Sequence, residues 1–287
     1  MSGKTIKIID RFNQSDSAEV VNSHHTLWQK TRIMGGYGMH MNSRGMFSYF
    51  DELLFDKENM VPLVGVEYAM EKIYGVKAPI DAPTLNSKGI GNDSATVSPS
   101  GGNPYPYGHK VCLFGVGIGG AAENNTTTID IGYHETDIVG MVPFRYTNDA
   151  LSELDQRKYF GMKEVDGVMA YYLKAFDSDP VIHNLFKNGE DGEDGSEVTA
   201  SYLNDGSATG VETCTDVILT VSKKDLREWF TAIGDIESCR VNSIALYSAI
   251  KDGDDYSYIQ LFSKLNIPSE PMSLSKDLNI IYRTYGS

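Results

Sequence analysis

The sequence predicts an α+β fold: a strand-rich body, an antiparallel sheet or sandwich, with N-terminal helices and one capped helix at about 223-233. Three observations predict it. Runs dense in Val, Ile and Thr recur after residue 110, and the clearest, Val211 to Val221, carries no Pro or Gly. The stretch from Ser222 to Gly234 joins capping chemistry to a single apolar stripe. Between Phe47 and Tyr74, apolar residues recur at spacings of three and four.

The elements follow in order. Lys4 to Asp10 reads as a short strand, and the polar Asn13 to Asn22 as a loop or arm. Ile33 to Phe47 interleaves Met34, Met39, Met41 and Met46 with Gly35, Gly36, Gly38 and Gly45. Adaptable apolar contact joined to backbone freedom suits a segment that orders against a partner; an ordinary core-lining loop is the other reading. Phe47 to Phe55 sets Phe47, Phe50 and Leu54 on one side of a helix. Pro62 to Tyr74 is a second helix, with Leu63, Val66, Met70 and Ile73 in phase, Pro62 in the first turn and Gly75 closing it. From Asn86 to Gly108 the composition turns to Asn, Ser, Gly and Pro, which predicts a long surface loop. These changes divide the chain into an arm and helical region (1-85), a loop (86-109) and a β-rich body (110-287).

In the body, strands are expected at Lys110 to Gly115, Thr126 to Tyr133, Met141 to Tyr146, Val168 to Phe176 and Val181 to Phe186, with an acidic, Gly-rich insertion from Asn188 to Asp205. After Val211 to Val221, Ser222 is placed to cap a helix while the Asp225 carboxylate reaches back. Leu226, Trp229, Phe230 and Ile233 then fall at i, i+3, i+4 and i+7 as the structural core of that helix, and Gly234 can end it in the left-handed conformation. With full burial, Trp229→Ala would cost about 3–5 kcal/mol. Arg240 to Ile250 and Tyr256 to Leu265 pair antiparallel across the Asp- and Gly-rich break between them. Ile267 to Pro271 reads as a connection, because proline lacks a ladder donor. Leu278 to Tyr285 is the last strand.

Composition narrows the function classes. The 287 residues are enough for one large domain or two modest ones, and the net charge of -14 argues against a general nucleic-acid binder, which requires a basic face, so no sequence-specific nucleic-acid partner is expected. The N-terminus lacks the apolar core of a secretory signal and no apolar run approaches about 18–20 residues, so synthesis in the cytoplasm and no membrane partner are expected. Cys112, Cys214 and Cys239 are distant and odd in number, which suits buried free thiols.

No motif assembles a reaction centre. Gly115-Val116-Gly117-Ile118-Gly119-Gly120 spells G-x-G-x-x-G, but a β-favouring Thr126-Thr127-Thr128 run follows where a dinucleotide site needs a helix. Close backbone packing is the expected role. The acidic turns lack the ligand spacing of a calcium loop, and the six histidines lack zinc spacing. Catalytic residues, cofactors and metals are therefore expected to be none. The seventeen tyrosines, including Tyr171-Tyr172, suit cross-strand packing or a stacking platform for a sugar.

Several short segments carry a resemblance in order. They are Val111-Cys112-Leu113-Phe114-Gly115-Val116-Gly117, Val142-Pro143-Phe144-Arg145-Tyr146, Lys158-Tyr159-Phe160 and Tyr171-Tyr172-Leu173-Lys174, then Asp225-Leu226-Arg227-Glu228-Trp229-Phe230, Arg240-Val241-Asn242-Ser243-Ile244, Leu261-Phe262-Ser263-Lys264-Leu265 and Ile280-Ile281-Tyr282-Arg283-Thr284-Tyr285. Over roughly residues 60 to 287 the chain resembles virion structural proteins of large tailed bacteriophages. The resemblance implies a component of the neck, tail, baseplate or capsid surface, present as a homo-oligomer among other virion proteins, and it implies no enzyme. Candidate contacts with neighbours are Met34, Tyr37, Met39, Met41, Met46, Tyr105 and Tyr107. A soluble carbohydrate-binding or hydrolytic protein is the alternative, and it would need carboxylates at catalytic separation.

Overall fold

A computed structural model describes residues 30–43, 45–58, 110–122, 126–132, 135, 137–187, 194–197, 211–252, 255–273 and 275–286. The strands are β1 (Lys30–Met41), β2 (Phe47–Glu58), β3 (Lys110–Gly117), β4 (Met141–Val142), β5 (Arg145–Tyr146), β6 (Tyr159–Val165), β7 (Val168–Ala175), β8 (Val181–Lys187), β9 (Asp194–Glu197), β10 (Val211–Val221), β11 (Arg240–Asp252), β12 (Asp255–Pro271) and β13 (Leu278–Gly286). Two short helices, α1 (Glu153–Gln156) and α2 (Arg227–Ala232), complete the described set with a 3-10 turn at Ile236–Ser238. One sheet runs β2-β1-β13-β10-β8-β9; the other runs β12-β11-β3-β7-β5, with β4 on β3 and β6 on β7. All described pairings are antiparallel.

Strand alternation builds the core. On β10 and β13, Val217, Leu219 and Val221 share a face with Leu278, Ile280 and Tyr282, and these side chains join Phe114, Val116, Ile244 and Leu246 of the second sheet in one buried cluster. The second sheet is apolar on its other face too, where Leu113, Leu173, Ala245 and Tyr247 are buried with Ile138. The described parts of the 118–140 segment lie over that face. Its backbone is tied down by sheet side chains: Asn242 Nδ2 donates to Ile118 O (3.1 Å), Asn242 Oδ1 accepts from Gly120 N (2.7 Å), and Asn266 Nδ2 donates to Ile129 O (2.8 Å). Tyr247 Oη donates to Asp137 (2.8 Å), and Lys264 pairs with Glu135. Buried backbone groups of a covering loop need such partners.

The α+β expectation is corrected to two antiparallel sheets with short helices. Phe47 to Phe55, expected as a helix, is β2. Its ladder with β1 slips between Gly35 and Gly36 and between His40 and Met41. Each slip inserts one unpaired residue, Ser48 or Leu54, so the buried Phe47, Phe50 and Phe55 fall at spacings of three and five that mimic a helical period. The Met and Gly segment expected to be flexible is β1 and the turn after it. Pro62 to Tyr74, Lys4 to Asp10, Asn13 to Asn22 and the loop 86-109 lie outside the described residues.

Four further corrections concern the body. Thr126 to Tyr133 was expected as a strand; over 126–132 the chain makes only the isolated bridge Ala121↔Thr128, its polar groups being engaged in covering the second sheet. Ile267 to Pro271 is strand, not connection. β12 is the sheet's edge, and Ser243↔Asn266 beside Val241↔Glu270 leaves Ile267, Pro268 and Ser269 opposite Asn242 alone, so Pro268 sits in an edge bulge where no donor is required. Tyr159–Val165 is an unanticipated strand pairing β7. The helix after β10 starts at Arg227 rather than beside Ser222, because Leu226 adopts φ 68. A left-handed leucine breaks the helical path, and its N–H donates to Phe144 O of the other sheet (3.0 Å) while its side chain is fully buried. Gly234 takes φ +74.

Candidate functional site

The β1–β2 hairpin carries most of the candidate contact residues. Asn42 organises its turn: Asn42 N donates to Met46 O (2.8 Å), Gly45 N to Asn42 O (3.0 Å) and Met46 N to Asn42 Oδ1 (3.1 Å). Gly45 has φ +76, a conformation glycine adopts without penalty. Gly36 marks the kink, where a Cβ would meet the Glu52 carbonyl at 2.3 Å.

An ion pair on the outer face of the first sheet fixes the hairpin. Asp216 of β10 and Arg283 of β13 lie directly opposite each other, with Arg283 Nε 2.6 Å from Oδ1 and Nη2 2.7 Å from Oδ2. The start of β2 closes over them: Phe47 N donates to Asp216 Oδ2 (3.0 Å), and Arg283 Nη2 donates to Phe47 O (3.1 Å). Met34, Phe47, Phe50 and Ile281 form a small buried cluster beside this clamp.

The candidate contact residues separate. Met34, Tyr37 and Met46 are buried within the chain itself, Met39 is half-buried and Met41 is exposed; Tyr105 and Tyr107 lie outside the described residues. Tyr37 Oη donates to Pro271 O (3.1 Å) and accepts from Ser273 N (3.0 Å), and burial pushes its phenol up. The most exposed large apolar side chains of the hairpin are on β2. Tyr49 and Leu53 are 54% and 56% exposed, and His40 stacks on Tyr49 at 4.3 Å while its Nε2 lies 2.9 Å from Asp51. Residues 49 to 53 pair with β1 without a slip, so Tyr49, Asp51 and Leu53 share one face. Sequence reading missed them because it placed this stretch on a helix.

A buried charged pair of the body ties one sheet to the turn that leaves the other. Lys174 of β7 and Asp225, in the turn after β10, are 4% and 0% exposed and 2.8 Å apart. Lys174 Nζ also donates to Thr220 O (2.6 Å), and Asp225 accepts from Tyr159 Oη (2.7 Å) and from Ser222 N (2.8 Å). Burial and the neighbouring Asp225 push the Tyr159 phenol far up, so it serves as a donor. Nearby, Arg145 forks onto Glu228 (3.0 and 2.9 Å) and reaches Asp155 (3.4 Å). The Glu228 hydrogen bond raises the guanidinium pKa against the opposing effect of burial.

Of the helix residues expected in the core, Leu226 and Phe230 are buried there. Trp229 is half-buried edge-to-face on Tyr146 at 5.1 Å, and Ile233 is 50% exposed, which corrects its assignment to the core. With Leu226 outside the helix, α2 is too short to turn four positions inward. The thiols of Cys112 and Cys239 are buried, which pushes them up to about 12 and about 11. The glycine series ends β3 and leads into the covering segment, where a Cβ on Gly120 would meet Asn242 O at 2.1 Å. Among the described residues no group of three or more His, Cys, Asp or Glu is placed to hold a metal ion, and no helix is long and apolar enough to cross a membrane.

Comparison with protein-family models, curated proteins and solved structures finds no match for the chain.

Proposed function

We propose that the chain is a structural subunit of a tailed-bacteriophage virion, made in the host cytoplasm and assembled with copies of itself and other virion proteins in the neck, tail, baseplate or capsid surface. The observation that carries this reading is how its side chains are used. Buried charges tie one sheet to the other, as Lys174 and Asp225 do, or lock a hairpin, as Asp216 and Arg283 do, while an edge strand presents Tyr49 and Leu53 to solvent. A sandwich whose edge strand exposes two large apolar side chains suits a subunit that meets its neighbours by strand and loop contacts. The sequence resemblance supports the same reading. Residues 86 to 108 are proposed as a further contact with neighbouring subunits, on their Asn-, Ser-, Gly- and Pro-rich sequence.

Sedimentation velocity of the full chain and of a chain lacking residues 86 to 108 tests the proposal. The full chain is expected to form oligomers, and the shortened one to keep its circular dichroism spectrum but associate more weakly. A full chain that sediments as a 31.7 kDa monomer at every concentration would contradict it.

A further inference from the structure

β2 ends the first sheet, and no described strand pairs with its far side. Beyond Phe47, whose N–H and C=O are held by Asp216 and Arg283, the edge backbone of this twelve-residue strand is a template for another strand. The exposed face reads apolar, acidic, apolar: Tyr49, Asp51 and Leu53. β2 holds Asp51, Glu52, Asp56 and Glu58 against the single Lys57; Asp56 pairs with Arg32, Glu52 with Lys276 at 3.4 Å, and Asp51 meets only the half-exposed His40 at 2.9 Å among the ion pairs of the described residues. In a chain of net charge -14, most of the surface would repel such an edge.

The N-terminal segment is the exception. Met1 to Phe12 holds Lys4, Lys7 and Arg11 against Asp10 alone, and Lys4 to Asp10 has strand character. In an extended strand Thr5, Lys7 and Ile9 share a face, with Ile6 and Ile8 on the other. That pattern complements β2. Lys7 set opposite Asp51 brings Thr5 and Ile9 against Leu53 and Tyr49, and turns Ile6 and Ile8 toward the side of Phe50, where Met34, Phe47 and Ile281 already form an apolar cluster.

We propose that the N-terminal segment Lys4 to Asp10 of a neighbouring copy adds to the open edge of β2 as a further strand, with Lys7 opposite Asp51. This inference rests on the subunit reading and specifies how one copy grips the next. Copies linked in this way, head to tail, would give a ring or a filament according to the rotation between them.

Photo-crosslinking tests it on the full chain, with Leu53→p-benzoylphenylalanine and an equal mixture of light and isotopically heavy protein. The expected product links residue 53 of one isotope to residues 4–10 of the other. Links to 4–10 within one isotope only, or none to that segment, overturn the proposal. As a second arm, Lys7→Glu should weaken association about tenfold, and adding Asp51→Lys should restore it. No restoration overturns the pairing. If the chain associates but crosslinks elsewhere, the arm inference falls and the subunit reading stands; a chain that is monomeric at every concentration removes both.

Discussion

Asp216 and Arg283 stand directly opposite each other on β10 and β13, and their bidentate contact holds both backbone polar groups of Phe47. One buried pair therefore joins the centre of the first sheet to its hairpin. Removing one partner leaves an uncompensated charge: Arg283→Ala or Asp216→Ala should cost about 3–5 kcal/mol in denaturant unfolding. The double change Asp216→Leu with Arg283→Met should cost less than either single change. A double that costs as much as the two singles together would mean the residues act independently.

The Lys174–Asp225–Tyr159 tie should behave alike across the two sheets. Lys174→Met strands Asp225 and is expected to cost about 3–5 kcal/mol. Tyr159→Phe removes one hydrogen bond to a charged group and should cost about 1.5–3 kcal/mol. Equilibrium unfolding in urea measures both. A near-neutral Lys174→Met would show that the pair contributes nothing beyond filling space.

Which anchor dominates around α2 differs from the sequence expectation. Phe230 is buried and Trp229 half-buried. Phe230→Ala should cost about 3–5 kcal/mol and Trp229→Ala clearly less, despite its larger ring. Thermal unfolding of the two variants ranks them, and the reverse order would count against the packing described.

How much of this was legible depends on whether the pattern is local. β10, β11 and β13 read directly from sequence because their β-branched and aromatic runs carry no Pro and no internal Gly. The hairpin did not, since its two bulges disguise period two as a helical spacing. Pro268 misled because edge position is a property of the sheet. The capped helix was half legible: Asp225 does reach back to Ser222 N, yet the same carboxylate answers Lys174, and Leu226 turns left-handed into the core. The ties were out of reach, since Asp216 and Arg283 are 67 residues apart and Lys174 and Asp225 are 51 apart. No local period links them.

Acid should loosen the cover over the second sheet. Burial acts to raise the Glu135 carboxyl, but hydrogen bonds from Lys264 and from Gly132 N outweigh it and hold the carboxyl below its ordinary 4.5. Its folded value lies below its unfolded one, so its contribution is full above the unfolded value and is lost as pH falls through the folded value. The stability gap between the parent and Glu135→Gln should be widest near neutral pH and close below about pH 4.5. A gap that does not change with pH would show that Glu135 acts by packing alone.

Thiol accessibility offers a simple check on the core. Cys112 and Cys239 should stay unreactive toward a disulfide reagent at pH 8 and react on unfolding, because both are buried and raised above the ordinary thiol value. Rapid native labelling of either would contradict the packing around them.

The most direct test of the proposed virion role is quantitative mass spectrometry of gradient-purified tailed-phage particles from lysates that contain the chain. The account predicts its peptides in intact particles at a fixed, multiple copy number, co-sedimenting with tail or capsid. Recovery of the chain only from the soluble fraction of the lysate, with none in the particles, would contradict it.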